Sequence, residues 1–164
     1  MGGFLLISPI RHLDDIIIYM KIHIGTDHAG FELKNKLVEY LNELGHDITD
    51  HGAFVYDPTD DYPDFVTPVA HAVSMDTNSL GIILGGSGQG EAMNANRFKE
   101  VRAIEYYGGE IEIVKLGREH NNANVLSLGA RFITDEEAYE AVKVFIETEF
   151  SGEERHIERL NKFS

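Results

Sequence analysis

Ser79-Leu80-Gly81-Ile82-Ile83-Leu84 runs straight into Gly85-Gly86-Ser87-Gly88-Gln89-Gly90. The first six residues read as a short, mostly apolar strand, and the glycines end it. Residues 91–98 then follow a helical pattern. A strand that passes through a glycine turn into a helix is half of a parallel βαβ unit. Four glycines in six positions let the backbone approach a ligand closely and aim several N–H groups at one spot. The helix behind them adds its positive end, so the loop suits a phosphate or a transient oxyanion. The Lys-Ser/Thr ending of a Walker loop is missing. A dinucleotide fingerprint belongs after the first strand, whereas this loop follows the third. The plainer reading of the loop alone is a flexible strand-to-helix turn.

The same alternation extends outward from this unit. Residues 22–25 form a first short strand. Residues 31–44 carry Phe31, Leu33, Leu37, Val38, Leu41 and Leu44 at helical spacing, and Gly45 stops them. Residues 46–49 are a weaker strand, and residues 51–61 a polar loop. Pro63 opens a helix with Phe65, Val66, Val69, Ala70 and Val73 on one side. Residues 101–105 and 124–128 are the fourth and fifth strands, with a helix over 111–118 between them. Asp135 caps a long helix reaching about Phe150. Five strands with intervening helices predict an α/β fold, a three-layer Rossmann-like sandwich around a five-stranded parallel sheet. In such open sheets ligands bind beyond the carboxyl ends of the strands. Functional residues are therefore expected just after strands one, three and five.

The chain has 164 residues, a length that fits one domain with a real core. Its formal net charge of −14 disfavours nucleic acid as a partner. No apolar run is long enough to span a bilayer, so no membrane partner is expected. The absence of cysteine excludes disulfides, thiolate zinc sites and thiol catalysis. It is compatible with the cytoplasm, the location expected. Residues 1–19, MGGFLLISPIRHLDDIIIY, lack the layout of a signal peptide. They are expected to be an upstream extension before a start at Met20. An ordered N-terminal segment is the alternative. Residues 20–150 are expected to form the α/β domain, and 151–164 a charged tail.

Three clusters carry chemistry. Thr26-Asp27-His28-Ala29-Gly30 places a carboxylate and an imidazole at the end of strand one. Either residue alone would be read as a helix cap. Arg118-Glu119-His120-Asn121-Asn122 precedes strand five and offers an acid/base group and an amide able to hold a hydroxyl. A solvated helix end explains that stretch equally well. Arg131 follows strand five, and Arg155 and Arg159 lie one helical turn apart in the tail. Guanidinium groups suit a phosphate. Routine pairing with Glu153, Glu154 and Glu158 is the stronger reading of the last two by sequence alone.

IGTDHAGFELK, DYPDF, GGSGQGEAMNANR, REHNNANVLSLGAR and GEERHIERL occur in one order and spacing. In this the chain resembles the ribose-5-phosphate isomerase B / galactose-6-phosphate isomerase family, from about Lys21 to the C-terminus. The resemblance implies a cofactor-free, metal-free enzyme that interconverts aldose and ketose phosphates through a cis-enediolate. It implies ribose 5-phosphate and ribulose 5-phosphate as the pair. A six-carbon sugar phosphate, or a silent sugar-phosphate-binding module, stands as the alternative. Asp27 would hold sugar hydroxyls, His28 the phosphate, and Tyr62 would line the pocket. His120 would assist ring opening with Ser87, and Asn121 would hold a hydroxyl of the intermediate. Amides of Gly86, Gly88, Gln89 and Gly90 would receive the enediolate oxygen. Arg131, Arg155 and Arg159 match phosphate ligands, the last two serving a neighbouring subunit in a homodimer or a tetramer.

Many family members carry a catalytic cysteine where this chain has Gly85. A second branch uses a glutamate just past the glycine loop, and Glu91 stands there. A carboxylate can take a proton alpha to a carbonyl and return it to the next carbon. A first-turn position lowers its proton affinity and burial raises it. Glu91, Asp27, Ser87 and His120 are expected to share one cavity.

Overall fold

The computed structural model describes residues 19–163, so the expected upstream extension lies almost wholly outside them. Five strands alternate with helices from Lys21 onward. They are β1 (Lys21–Thr26), β2 (Asp47–Asp50), β3 (Leu80–Gly85), β4 (Ala103–Tyr106) and β5 (Val125–Gly129). The helices are α1 (Phe31–Glu43), α2 (Pro63–Met75), α3 (Gln89–Ala95), α4 (Glu112–Asn121), α5 (Asp135–Glu147) and α6 (Glu154–Leu160). All strand pairs are parallel, in the order β2-β1-β3-β5-β4.

The pleat divides the core into two layers. Ile22, Ile24, Ile82, Leu84, Leu126 and Leu128 face α1, α4 and α5, where Leu37, Leu41, Val114, Val142 and Phe145 meet them. The alternate residues Ile83 and Val125 face α2 and α3 and pack on Val66, Val69, Val73 and Ala95. The inner strands are apolar because they are covered on both faces. The α2/α3 face is built from small residues. A Cβ on Gly81 would lie 3.0 Å from Val125 and 3.1 Å from Val69, and one on Gly25 would lie 2.7 Å from the carbonyl oxygen of Phe65. Helix α2 therefore rides close to the sheet. Helices α1 and α3, which follow β1 and β3, leave to opposite faces, which opens a crevice at the carboxyl ends of those two strands.

Most boundaries shift by up to three residues from those expected, and both ends of α5 are among them. The cap of α5 is Thr134, one residue before Asp135. Its Oγ1 accepts the Glu137 N–H at 3.2 Å while Glu137 Oε2 accepts the Thr134 N–H at 2.7 Å. This reciprocal pair satisfies two donors that Asp135 could not reach together. The helix stops at Glu147 rather than near Phe150. The tail folds into α6, which returns to α4 through the Ser151 N–H on the Glu119 carbonyl.

One buried charge ties this scaffold to the loop that follows β2. Lys34 of α1 is 1% exposed, and its Nζ donates to Asp50 Oδ2 at 2.7 Å and to the Ala53 carbonyl at 2.9 Å. Beyond β2, residues 51–53 keep pairing with β1 through the His51, Gly52 and Ala53 backbones. Removing the anion would leave a buried ammonium poorly compensated. Asp50→Ala should therefore lower the unfolding free energy by about 3 kcal/mol. Urea denaturation of wild type and variant would measure this, and an unchanged midpoint would refute it.

Candidate active site

The glycine loop is fixed by the strand beside it. Ser127 of β5 donates its hydroxyl to the Gly88 carbonyl at 2.6 Å, and the Ala130 and Arg131 amides donate to the Gly85 and Gly86 carbonyls at 2.9 and 3.1 Å. Gly88 precedes α3 with φ +85°, a left-handed conformation that favours glycine. A Cβ on Gly90 would lie 2.7 Å from the Tyr62 hydroxyl, so Tyr62 lies against the first turn of α3.

Glu91 projects from that turn back over the end of β3. It is 4% exposed. A Cβ on Gly85 would fall 1.8 Å from Glu91 Oε1 and 2.1 Å from its carboxyl carbon. The carboxylate thus fills the space that any side chain at position 85 would take. Burial pushes its proton affinity above the usual carboxylate range. Its own backbone N–H opposes this, and the charges of Asp27 and Glu105 reinforce it.

Asp27 and His28 stand at the carboxyl end of β1. Asp27 is 7% exposed and caps the short 3₁₀ turn before α1 by accepting the Ala29 N–H at 2.9 Å. The cap reading of Asp27 therefore holds. His28 Nδ1 lies 2.7 Å from Asp60 Oδ1, and this bond holds the imidazole proton affinity above its ordinary value. Arg131 extends its guanidinium over Gly86, with Nη1 3.4 Å from where a Cβ would sit. Asp27, His28, Tyr62, Ser87, the loop glycines, Gln89, Glu91 and Arg131 all stand at the carboxyl edge of the sheet. Two buried carboxylates, a row of backbone amides, an imidazole and a guanidinium meet there. That arrangement can take a proton from carbon while holding an anion.

His120 does not share this cavity within one chain, contrary to expectation. It lies near the end of α4, at the amino end of β5. Five residues of strand separate the two edges, roughly 16 Å at about 3.3 Å per residue. Asn121 lies there too. It borders a groove of about 630 Å³ with the 96–104 segment, Leu160 and Phe163. Arg155 and Arg159 occupy α6 on the same side. His156, between them in sequence, stacks on His120 with ring centroids 4.3 Å apart. Arg155 pairs with Glu153 at 2.9 Å, the routine partner its sequence suggested. Arg118 is structural, donating to the Thr148 and Ala123 carbonyls and lying over the Phe145 ring.

Asp60, Ser127 and Glu105 escaped the sequence reading. Asp60 is one acid of several in a polar loop, and Ser127 and Glu105 sit in ordinary strand patterns. Only the packing brings them to the site.

A family model described as Ribose/Galactose Isomerase matches residues 22–163. Ribose-5-phosphate isomerase B of Mycolicibacterium paratuberculosis is 42% identical over 142 residues, covering 87% of this chain and 88% of the relative. The crystal structure of ribose-5-phosphate isomerase B from Mycoplasma genitalium with bound ribulose-5-phosphate superposes with a TM-score of 0.83 at 38% identity. That match covers 87% of this chain and 93% of the other. The ribose 5-phosphate isomerase of Thermotoga maritima gives 0.82 at 38% identity, over 88% and 97%.

The burial of Glu91 has a measurable consequence. A carboxyl whose proton affinity rises on folding contributes stability below its unfolded value and loses it as pH climbs through the folded value. At pH 8 the ionised group therefore strains the native state. Glu91→Gln should raise the melting temperature at pH 8, with the gain shrinking toward pH 4. A lower melting temperature at pH 8 would mean that the carboxylate is held by a favourable partner.

Proposed function

The chain belongs to the ribose/galactose isomerase family, and from that premise we propose that it interconverts ribose 5-phosphate and ribulose 5-phosphate with Glu91 as the base. The observation that carries this reading is the buried Glu91 carboxylate lying on Gly85, beside the glycine loop. As an aldose–ketose isomerase, the protein moves one hydrogen between neighbouring carbons. Glu91 takes the proton from C2 of the open-chain aldose, and the electron pair of that bond shifts to give a cis-enediolate. The same carboxyl returns the proton to C1 while a proton passes from O2 to O1, leaving the ketose.

The loop amides from Gly86 to Gly90 stabilise the enediolate oxygen. Losing one such donor typically costs about 3 kcal/mol of transition-state stabilisation. Asp27 holds sugar hydroxyls, Tyr62 closes the pocket, and His28 and Arg131 hold the phosphate. The partner subunit's His120, with Ser87, opens the furanose ring, and the partner subunit's Asn121 holds a hydroxyl. The partner subunit's Arg155 and Arg159 complete the phosphate site. The separation of His120, Asn121, Arg155 and Arg159 from Glu91 within one chain supports this division between two copies. Glu91 acts only when ionised, and its raised proton affinity in the free enzyme sets the acidic limb of kcat/KM above the usual carboxylate range.

Purified protein should isomerise ribose 5-phosphate with a chelator present, and faster than six-carbon sugar phosphates. Glu91→Gln should lower kcat by about a hundredfold to ten-thousandfold with KM little changed. It should also stop exchange of the substrate hydrogen with solvent deuterium. Normal turnover in that variant would remove Glu91 from the base role.

Mixing tests the shared site. His120→Ala and Glu91→Gln subunits, each inactive alone, should regain about a quarter of wild-type activity after exchange, since half the dimers then hold one intact site. No recovery despite confirmed subunit exchange would place the whole site within one chain.

A further inference from the structure

The loop between β2 and α2 is polar and mostly exposed, but one of its acids is not. The Asp60 side chain is 10% exposed. Its Oδ1 accepts two hydrogen bonds from one residue, the His28 main-chain N–H at 2.9 Å and the His28 ring Nδ1 at 2.7 Å. Its Oδ2 is buried with no hydrogen-bond partner among the described residues. The loop start is itself anchored to β1, through Thr26 N–H on the Gly52 carbonyl and Ala53 N–H on the Thr26 carbonyl, both at 2.8 Å. Asp60 is thereby delivered to the residue that follows Asp27.

We propose that Asp60 is a positioning residue for phosphate binding, fixing the His28 ring and keeping it a cation. The inference rests on the assignment of His28 to the substrate phosphate. A carboxylate on Nδ1 fixes the proton there and leaves Nε2 as the ring nitrogen open to a ligand. A neutral imidazole in that tautomer would present a lone pair to the phosphate, whereas an imidazolium presents a second N–H.

The surroundings make the charge matter. Asp27, Asp57 and Arg131 act on the His28 ring electrostatically, and the edge of Tyr56 lies 6.4 Å from it. Across a small cavity of about 210 Å³ stand Glu32, Lys36 and Asp135. Within one chain, and with Asp60 included, carboxylates outnumber cations there, and Arg131 opposes protonation of His28. The bond to Asp60 is the largest influence and favours the charged ring. Asp60 thus converts a locally negative region into one that accepts a dianion through His28.

Asp60→Asn tests this, because the amide oxygen can still accept both bonds while the charge is gone. KM for ribose 5-phosphate and the inhibition constant of inorganic phosphate would be followed from pH 6 to 9. The variant should match wild type near pH 6 and bind about tenfold more weakly at pH 8.5, where an imidazole of ordinary proton affinity is neutral. Its kcat should stay within about twofold, since the base is untouched. In a double-mutant cycle, Asp60→Asn should add nothing to the loss caused by His28→Gln. Superposable KM profiles for Asp60→Asn and wild type would overturn the proposal. So would an undiminished Asp60 effect in the His28→Gln background, which would reveal a loop role only.

Proton NMR of the His28 ring gives a readout independent of turnover and of variant folding. In wild type the ring should titrate above the ordinary imidazole value, and a titration at or below it would also overturn the proposal. Wild-type protein without isomerase activity would instead defeat the assigned reaction, while the ring titration and inorganic phosphate binding would still decide the role of Asp60.

Discussion

A carboxylate pressed against a backbone that has no side chain is the constraint on which this site depends. Glu91 can lie over the end of β3 only because position 85 lacks a Cβ. The glycine is thus a seat for the carboxylate as well as part of a loop. Burying a carboxylate in that seat is unfavourable by itself. The surrounding structure overcomes the cost with Ser127 bracing the loop, two strand-end amides holding its carbonyls, and the apolar layers beneath. The same burial raises the proton affinity of the group, which makes it a stronger base at the expense of fold stability.

The parallel sheet turns this local arrangement into a division of labour. Every strand points the same way, so residues after strands and residues before strands occupy opposite edges. Glu91, Asp27, His28 and Arg131 fall on one edge, and His120, Asn121, Arg155 and Arg159 on the other. No side-chain rearrangement spans a sheet, and a second copy supplies the missing half in the reading proposed above. The tail is suited to such a task. Helix α6 is mostly exposed, and it is held to its own chain at the Glu119 carbonyl and the stacked pair of His156 on His120.

Electrostatics run against the substrate until they are made local. A chain of net charge −14 repels a phosphate dianion at long range. Acceptance therefore rests on a few placed donors. In the site proposed above, the loop amides act through dipoles and Arg131 through a permanent charge. There His28 acts through a charge conferred by Asp60, so carboxylate and imidazole work as one unit.

Much of this was legible in the sequence. Periodicity marked all five strands and five of the six helices, because a strand covered on both faces and a helix covered on one leave different apolar spacings. The glycine run after Leu84, the Asp27–His28 pair and the place of Glu91 one step past the loop are local features, and local patterns carry them. What the sequence could not fix was distance between elements. It grouped His120 with Asp27, Ser87 and Glu91, although the parallel order of strands sets them at opposite edges. It passed over Asp60, Ser127 and Glu105 because an acid in a polar loop, or a serine in a strand, gains its role from what packs against it. The contact of Glu91 with Gly85, six residues apart, exists only once strand, turn and helix have folded the chain back on itself. Residue types and their order determined which groups were available for chemistry. The tertiary structure decided which of them meet, because only the sheet sets where each strand ends.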